Sequence, residues 1–270
     1  MPTNEKRIDE QLEESEEELI ERLALEAQAD IRQKDLQNRS GQKRKRPFHK
    51  MLIWLMSISL TLSTFLFIFE VYSIPAIEFL KVSAKLSARE DIASYKKSVV
   101  VVLTEDSKGT GFSIDQGGTI VTNYHVIEGS ETATVTFPEL GRFSATVAKT
   151  YPDIDLAVLE IKDAVSFPSL PLAKSNDYVR KAAVYFIGNP LYFTGIANEG
   201  TLLEPILLQD WPESVMMMKA PVYRGNSGSP VLNENGQVIG IVFATLDHDA
   251  YGKVGLFVPI ELYKLYASKN

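Results

Sequence analysis

Apolar positions along the chain fall into three patterns. In residues 1–50 they are sparse: Ile8, Leu12, Leu19, Leu23 and Ile31 recur at helix-like intervals without sustaining a heptad seam. This stretch reads as a solvated N-terminal tail, helical or disordered. Residues 51–69, MLIWLMSISLTLSTFLFIF, then run for nineteen positions without a charge. A helix of that length extends about 28 Å, close to the hydrocarbon thickness of a bilayer. A core helix of a soluble domain would keep a polar stripe. Here only scattered Ser and Thr interrupt, and their hydroxyls can bond back to the preceding turn. The pattern predicts a single transmembrane helix over 51–69, in contact with membrane lipid. Residues 70–94 follow as a membrane-proximal connector, helical in part around Ile77, Leu80, Lys81, Lys85 and Leu86.

From Lys96 onward the pattern becomes a series of short β-type runs. Ser98–Thr104, Gly111–Ile114, Thr119–Thr122, Thr132–Phe137, Phe143–Ala148 and Leu156–Ile161 come first. Ala182–Ile187, Met216–Ala220, Val231–Asn233, Val238–Ala244 and Val254–Val258 follow. Turn signals such as Asp115-Gln116-Gly117-Gly118 and Asn233-Glu234-Asn235-Gly236 separate them. Many short strands with one C-terminal helix at Ile260–Ala267 predict an all-β domain over 95–270, a sandwich or a pair of barrels.

Charge adds an orientation. Residues 1–50 hold twelve acidic and eleven basic side chains, with acids concentrated from Asp9 to Glu26 and bases from Arg39 to Lys50. The bases next to the apolar run place the N-terminus in the cytoplasm and residues 70–270 outside it. The fifty-residue lead and the length of the run argue against a cleaved signal peptide. A formal net charge of −7 argues against nucleic acid as a partner. The chain has no cysteine, which removes disulfides, thiolate metal sites and cysteine nucleophiles. With only three histidines, scattered at 49, 125 and 248, neither a metal centre nor a cofactor is expected.

Gly225-Asn226-Ser227-Gly228-Ser229-Pro230 carries the strongest chemical signal. A serine hydroxyl is a weak nucleophile that needs a base for its proton and donors for the oxyanion it creates. Flanking glycines allow a tight turn that exposes the hydroxyl and gathers backbone N–H groups. Alone, the segment also fits an ordinary Gly/Ser turn. His49 lies in the basic flank and His248 in the polar loop Leu246–Asp249, which leaves His125, at the end of an apolar strand, as the candidate base. Taken singly it also fits a packed core residue. Asp155 opens the apolar run Leu156–Ile161 and is the candidate shielded carboxylate, or else a strand cap. The order His125…Asp155…Ser227 is that of double-barrel serine proteases, and an α/β-hydrolase would require a different one.

With these motifs in view, residues from about 96 to 268 resemble the trypsin-like peptidase domain of the HtrA/Deg family within the chymotrypsin clan. The matching segments are Gly109–Ile114, Thr122–Val126, Asp155–Leu159, Ile187–Pro190, Gly225–Gly228 and Gly236–Ile241. The resemblance implies a double six-stranded β-barrel with a C-terminal helix. It implies His125 as general base, Asp155 as its orienting acid and Ser227 as nucleophile. Backbone N–H groups of Gly225 and Ser227, with Asn226 between them, would form the oxyanion hole.

Some positions depart from the family. Ser229 stands where most members have a second glycine. Asn226 replaces the aspartate that pairs with a new N-terminus in trypsin, so no zymogen switch of that kind is expected. The chain ends at Asn270 after the expected last helix, without room for a PDZ domain. Pro221 stands where a trypsin-type pocket carries its aspartate, and Phe243 and Ala244 suggest an apolar wall. Small or medium aliphatic residues are expected at P1, the position before the scissile bond. The expected whole is a membrane-anchored serine endopeptidase in a bacterial envelope, acting on periplasmic polypeptides, with homotrimeric assembly left open. The alternative is a non-catalytic scaffold or sensor that binds peptides on the same fold.

Overall fold

The computed structural model describes residues 15–41, 48–68, 74–174, 178–209 and 211–269. The basic run Lys43–Arg46, the last residue of the 51–69 apolar run and residues 70–73 of the connector lie outside the described residues. The chain divides into two compact units, residues 1–67 and 68–270. The first holds α1 (Ser15–Gly41), which gives the polar tail a helical form, and α2 (Phe48–Ile68). Among the described residues α2 is the one helix long and apolar enough to cross a membrane, and none of its Lys50–Phe67 window is buried. Its polar interruptions are satisfied locally, with the Thr61 and Thr64 hydroxyls donating to the Ser57 and Leu60 carbonyls at 2.8 Å each.

The second unit opens with α3 (Ile74–Ser87) and α4 (Glu90–Lys96). Six strands follow: β1 (Val99–Leu103), β2 (Lys108–Ser113), β3 (Thr119–Thr122), β4 (Thr132–Phe137), β5 (Gly141–Tyr151) and β6 (Leu156–Ile161). They close an antiparallel barrel in the order β1-β2-β3-β6-β5-β4, with a helical turn, α5 (Tyr124–Ile127), after β3. The next six are β7 (Ala183–Gly188), β8 (Ile196–Ile206), β9 (Val215–Lys219), β10 (Pro230–Leu232), β11 (Val238–His248) and β12 (Gly252–Pro259). They close a second barrel in the order β10-β11-β12-β9-β8-β7, and α6 (Ile260–Lys269) ends the chain.

Period-two burial explains the closure. In β4, Ala133, Val135 and Phe137 point inward, whereas Thr132 is exposed and Thr134 and Thr136 are half-buried. These side chains join Val100, Ile120 and Leu159 in a core inside the first barrel. A larger apolar cluster spans both barrels, packing Phe112 and Leu156 of the first with Phe186 and Phe257 of the second. The barrels therefore share an apolar cluster beside the cores of their own, and the loops at their junction are held from both sides.

The strand that the apolar pattern does not predict is β8. Its sequence, IANEGTLLEPI, has no alternation and contains Gly200 and Pro205, both weak strand signals. Tertiary packing sets it: the register shifts between Leu202 and Pro205, and Gly200 lets the strand pass close to the Lys219–Ala220 backbone. His248, expected in a loop, ends β11 and stacks on the Tyr251 ring at 5.0 Å.

Candidate active site

The loop after β3 and the loop before β6 bring His125 and Asp155 together. Asn123 ends the extended chain, and its side-chain amide donates to the Asp155 carbonyl at 2.8 Å. The Tyr124 N–H donates to the same carbonyl at 3.1 Å. Asp155 follows a short 3-10 turn, Pro152–Ile154, and adopts a left-handed conformation with φ 50°. That backbone is uncommon for a residue other than glycine and is held here by the bonds around it. It turns both carboxylate oxygens onto the histidine. Oδ1 accepts the His125 backbone N–H at 2.9 Å, and Oδ2 lies 2.7 Å from the ring Nδ1.

This double grip fixes the imidazole orientation and places the Nδ1 proton toward Asp155, leaving Nε2 as the free basic atom. The Asp155 side chain is 17% exposed and the His125 side chain 44% exposed, so the carboxylate is shielded while the ring reaches solvent. His125, Ser227 and Gly225 line one open cleft of about 420 Å³. The Ser227 hydroxyl is turned to the Phe243 carbonyl at 3.4 Å, and no hydrogen bond joins it to the His125 ring among the described residues.

The loop that carries Ser227 supplies donors. The Arg224 carbonyl accepts the Leu191 N–H at 3.0 Å, and the Asn226 carbonyl accepts the Ser229 N–H at 2.9 Å. In a trans peptide the N–H points opposite to the carbonyl, so these two bonds aim the Gly225 and Ser227 N–H groups the other way. Asn226, Gly228 and Ser229 N–H groups all have backbone acceptors. Those of Gly225 and Ser227 have none among the described residues, and both residues line the cleft. Gly225 and Gly228 adopt φ +95° and +86°, and a Cβ on Gly228 would stand 1.8 Å from the Thr110 carbonyl oxygen.

Thr110, in the motif Gly109–Ile114, has a part that its type did not announce. Its N–H donates to the Ser227 carbonyl at 2.8 Å, and its carbonyl accepts the Thr122 hydroxyl at 2.7 Å. Its own hydroxyl donates to the Gly225 carbonyl at 2.8 Å and accepts the Asn189 N–H at 2.9 Å. One buried side chain thus ties the Ser227 loop to both barrels. Asn226 is 1% exposed, as befits a residue turned inward beneath that loop. Ser229 fits without the family's glycine because Gly188 makes room: a Cβ there would lie 2.2 Å from the Ser229 hydroxyl oxygen.

A second pocket of about 350 Å³ opens beside Ser227, lined by Val222, Val242, Phe243 and Ala244, with Arg224 and Lys253 also in its lining. Phe243 and Ala244 are therefore where an apolar wall is expected. Pro221 is exposed and outside that lining, while its neighbour Val222 points inward. Among the described residues no group of three or more His, Asp or Glu side chains is placed to hold a metal ion.

Comparison with known proteins agrees with the fold. Residues 109–241 match the family model described as a trypsin-like peptidase domain. The chain is 31% identical over 157 residues to a probable periplasmic serine endoprotease, DegP-like, of Chlamydia trachomatis serovar D, covering 56% of this chain and 31% of that protein. It is 33% identical over 164 residues to the putative serine protease HhoA of Synechocystis, covering 58% and 41% respectively. Among solved structures, the Rv3671c protease of M. tuberculosis H37Rv in an inactive form aligns with TM-score 0.59 and 28% identity, covering 68% of this chain and 94% of that one. The chain spans about a third of the length of the DegP-like relatives, at 31% and 32%.

Proposed function

This chain carries a trypsin-like peptidase domain with HtrA/DegP-like homologues, and we propose that it is a membrane-anchored serine endopeptidase that cleaves polypeptides outside the cytoplasm. The observation that carries the reading is the convergence of a carboxylate-gripped His125 with Ser227 and two unpaired N–H groups in one cleft. His125 Nε2 takes the Ser227 proton as Oγ attacks the scissile carbonyl. The oxyanion forms against the N–H groups of Gly225 and Ser227. His125 then protonates the leaving amine, and water, deprotonated by the same ring, hydrolyses the acyl-enzyme. Asp155 stabilises the imidazolium at each stage.

The apolar wall of Val222, Phe243 and Ala244 supports small or medium aliphatic residues at P1. The span at 51–69, preceded by a basic flank, supports lipid anchoring with the peptidase unit on the far side from the N-terminus. The HtrA/Deg resemblance leaves a homotrimer open, and mass photometry in detergent counts the copies per particle.

Fluorophosphonate labelling and peptide turnover by the detergent-solubilised full-length chain test the proposal. Wild type should label once and turn over peptides. Ser227→Ala should lose the label, and His125→Ala should lose both activities. Equal labelling of wild type and Ser227→Ala refutes the nucleophile. Peptide binding without turnover in the wild type would favour the scaffold alternative.

A further inference from the structure

The connector helix α3 lies against the second barrel along one face. Phe79, Ser83 and Leu86 are buried at spacings of four and three, whereas Ile77, Glu78, Lys81, Ala84 and Lys85 are exposed. Two contacts fasten it. The Ser83 hydroxyl accepts the backbone N–H of Ala197 on β8 at 3.2 Å. The Phe79 ring meets the Tyr223 ring edge-on, with centroids 4.8 Å apart and planes at 78°.

Tyr223 neighbours Ser227 in the second pocket. Its carbonyl accepts the Asn226 N–H at 3.0 Å. The next residue, Arg224, is the one whose carbonyl orients the Gly225 N–H. The ring that Phe79 touches therefore stands at the base of the turn presenting the nucleophile. That turn needs support from outside itself. Gly225 and Gly228 leave its backbone permissive, and neither polar atom of the buried Asn226 side chain bonds a described residue.

We propose that Phe79 is a positioning residue of the cleft: through its edge-on contact with Tyr223, α3 holds the pocket wall and the Tyr223–Asn226 turn. The consequence for turnover rests on the peptidase reading above; the support of the loop does not. α2 ends at Ile68 and α3 begins at Ile74. The chain that leaves the candidate span is thus the chain that props the cleft, and a displacement of α3 is transmitted to the residues around Ser227.

The test uses the full-length protein in detergent micelles with Phe79→Ala, Phe79→Tyr and Tyr223→Ala. Amide hydrogen exchange over residues 221–229 should accelerate about tenfold in Phe79→Ala, with residues 119–127 unchanged. Phe79→Tyr, which keeps the ring, should restore the wild-type rate. In turnover, a smaller folded fraction scales every substrate alike, whereas a displaced Tyr223 changes selectivity. The ratio of kcat/KM between peptides with Ala and Leu at P1 should change about fivefold in Phe79→Ala and in Tyr223→Ala, since an aromatic pair of this kind has roughly that weight.

Wild-type exchange over 221–229 in folded Phe79→Ala overturns the proposal, as does an unaltered ratio in a variant that hydrolyses both peptides. Should Phe79→Ala not fold, Phe79→Leu, which fills the site without a ring, takes its place in both measurements. A wild type that hydrolyses neither peptide refutes the peptidase reading instead, and exchange alone then decides whether α3 props the loop.

Discussion

Replacing Thr110 with Val removes a hydroxyl while keeping the shape of the side chain. In the structure that hydroxyl holds two backbone groups, donating to Gly225 at 2.8 Å and accepting from Asn189 at 2.9 Å, on a residue with no exposed surface. Val strands both groups, and a buried unsatisfied group costs about 1–3 kcal/mol, so Thr110→Val should lose roughly 2–6 kcal/mol of stability. Thr110→Ser keeps both bonds and deletes one methyl, at about 1 kcal/mol. The two variants also separate in chemistry. The held carbonyl lies in the Gly225–Asn226 peptide, one Cα away from the free N–H of Gly225, and an oxyanion donor contributes about 10²–10³ in kcat. Partial release of the Gly225 backbone should slow phosphonylation of Ser227 by a fluorophosphonate by ~10–100-fold in Thr110→Val, while Thr110→Ser stays within about threefold of wild type. Denaturant unfolding gives the first quantity and intact-mass kinetics the second. Equal phosphonylation rates in folded Val and Ser variants would refute the idea that Thr110 holds the loop.

Further outcomes follow from individual contacts. Asp155→Asn keeps the shape but reverses which proton His125 presents, and peptide turnover should fall by about 10⁴-fold with Ser227 still in place. Gly228→Ala forces a Cβ to within 1.8 Å of the Thr110 carbonyl oxygen at φ +86°. Its loss of several kcal/mol should appear as a Tm lowered by about 10 °C or more, or as failure to fold. Peptides with Val at P1 should be cut at least ~10-fold faster than those with Lys, because Arg224 and Lys253 share the pocket with its apolar wall; the reverse order in a peptide library would reject that wall as the selector. At Asp115, burial works against the charge. Hydrogen bonds from the Thr119 hydroxyl and from backbone N–H groups, including Gly117 at 2.9 Å, hold the carboxyl below its usual range. A lowered folded-state pKa stabilises above the unfolded value and is lost as pH falls through the folded one. The stability advantage of wild type over Asp115→Asn should therefore be full near pH 7 and shrink below about pH 4. A constant difference across that window would contradict the assignment.

Local patterning announced those elements whose burial alternates within a few residues. Thr119–Thr122, Thr132–Phe137 and Leu156–Ile161 are strands with the bounds that their apolar runs suggest. β8 escaped because its shape depends on a bulge and on the close pass at Gly200, which are long-range facts. Within the site, His125 and Ser227 were legible from residue scarcity and from the glycines around the serine. Asp155 was legible as a residue but not as a conformation: it precedes β6 in a left-handed turn, which aims two oxygens at one histidine. The roles of Thr110 and Phe79 had no sequence signal, since each depends on partners more than 70 residues away, as in Thr110–Asn189, where the separation is 79. Val222 was hidden for a simpler reason. Its neighbour Pro221 occupies the position that the trypsin comparison selects, but a one-residue difference in facing puts Val222 in the pocket.

The central claim is that Ser227 attacks while the Gly225 and Ser227 N–H groups receive the oxyanion. A crystal structure of the protein inactivated with a peptidyl phosphonate bearing Val at P1 measures this most directly. The predicted adduct has phosphorus bonded to Ser227 Oγ, with one phosphonyl oxygen about 2.7–3.1 Å from both nitrogens. His125 Nε2 should lie within hydrogen-bond reach of the Ser227 oxygen. Phosphorus on any other residue, or its oxygen turned to solvent with both N–H groups unbonded, would contradict the account.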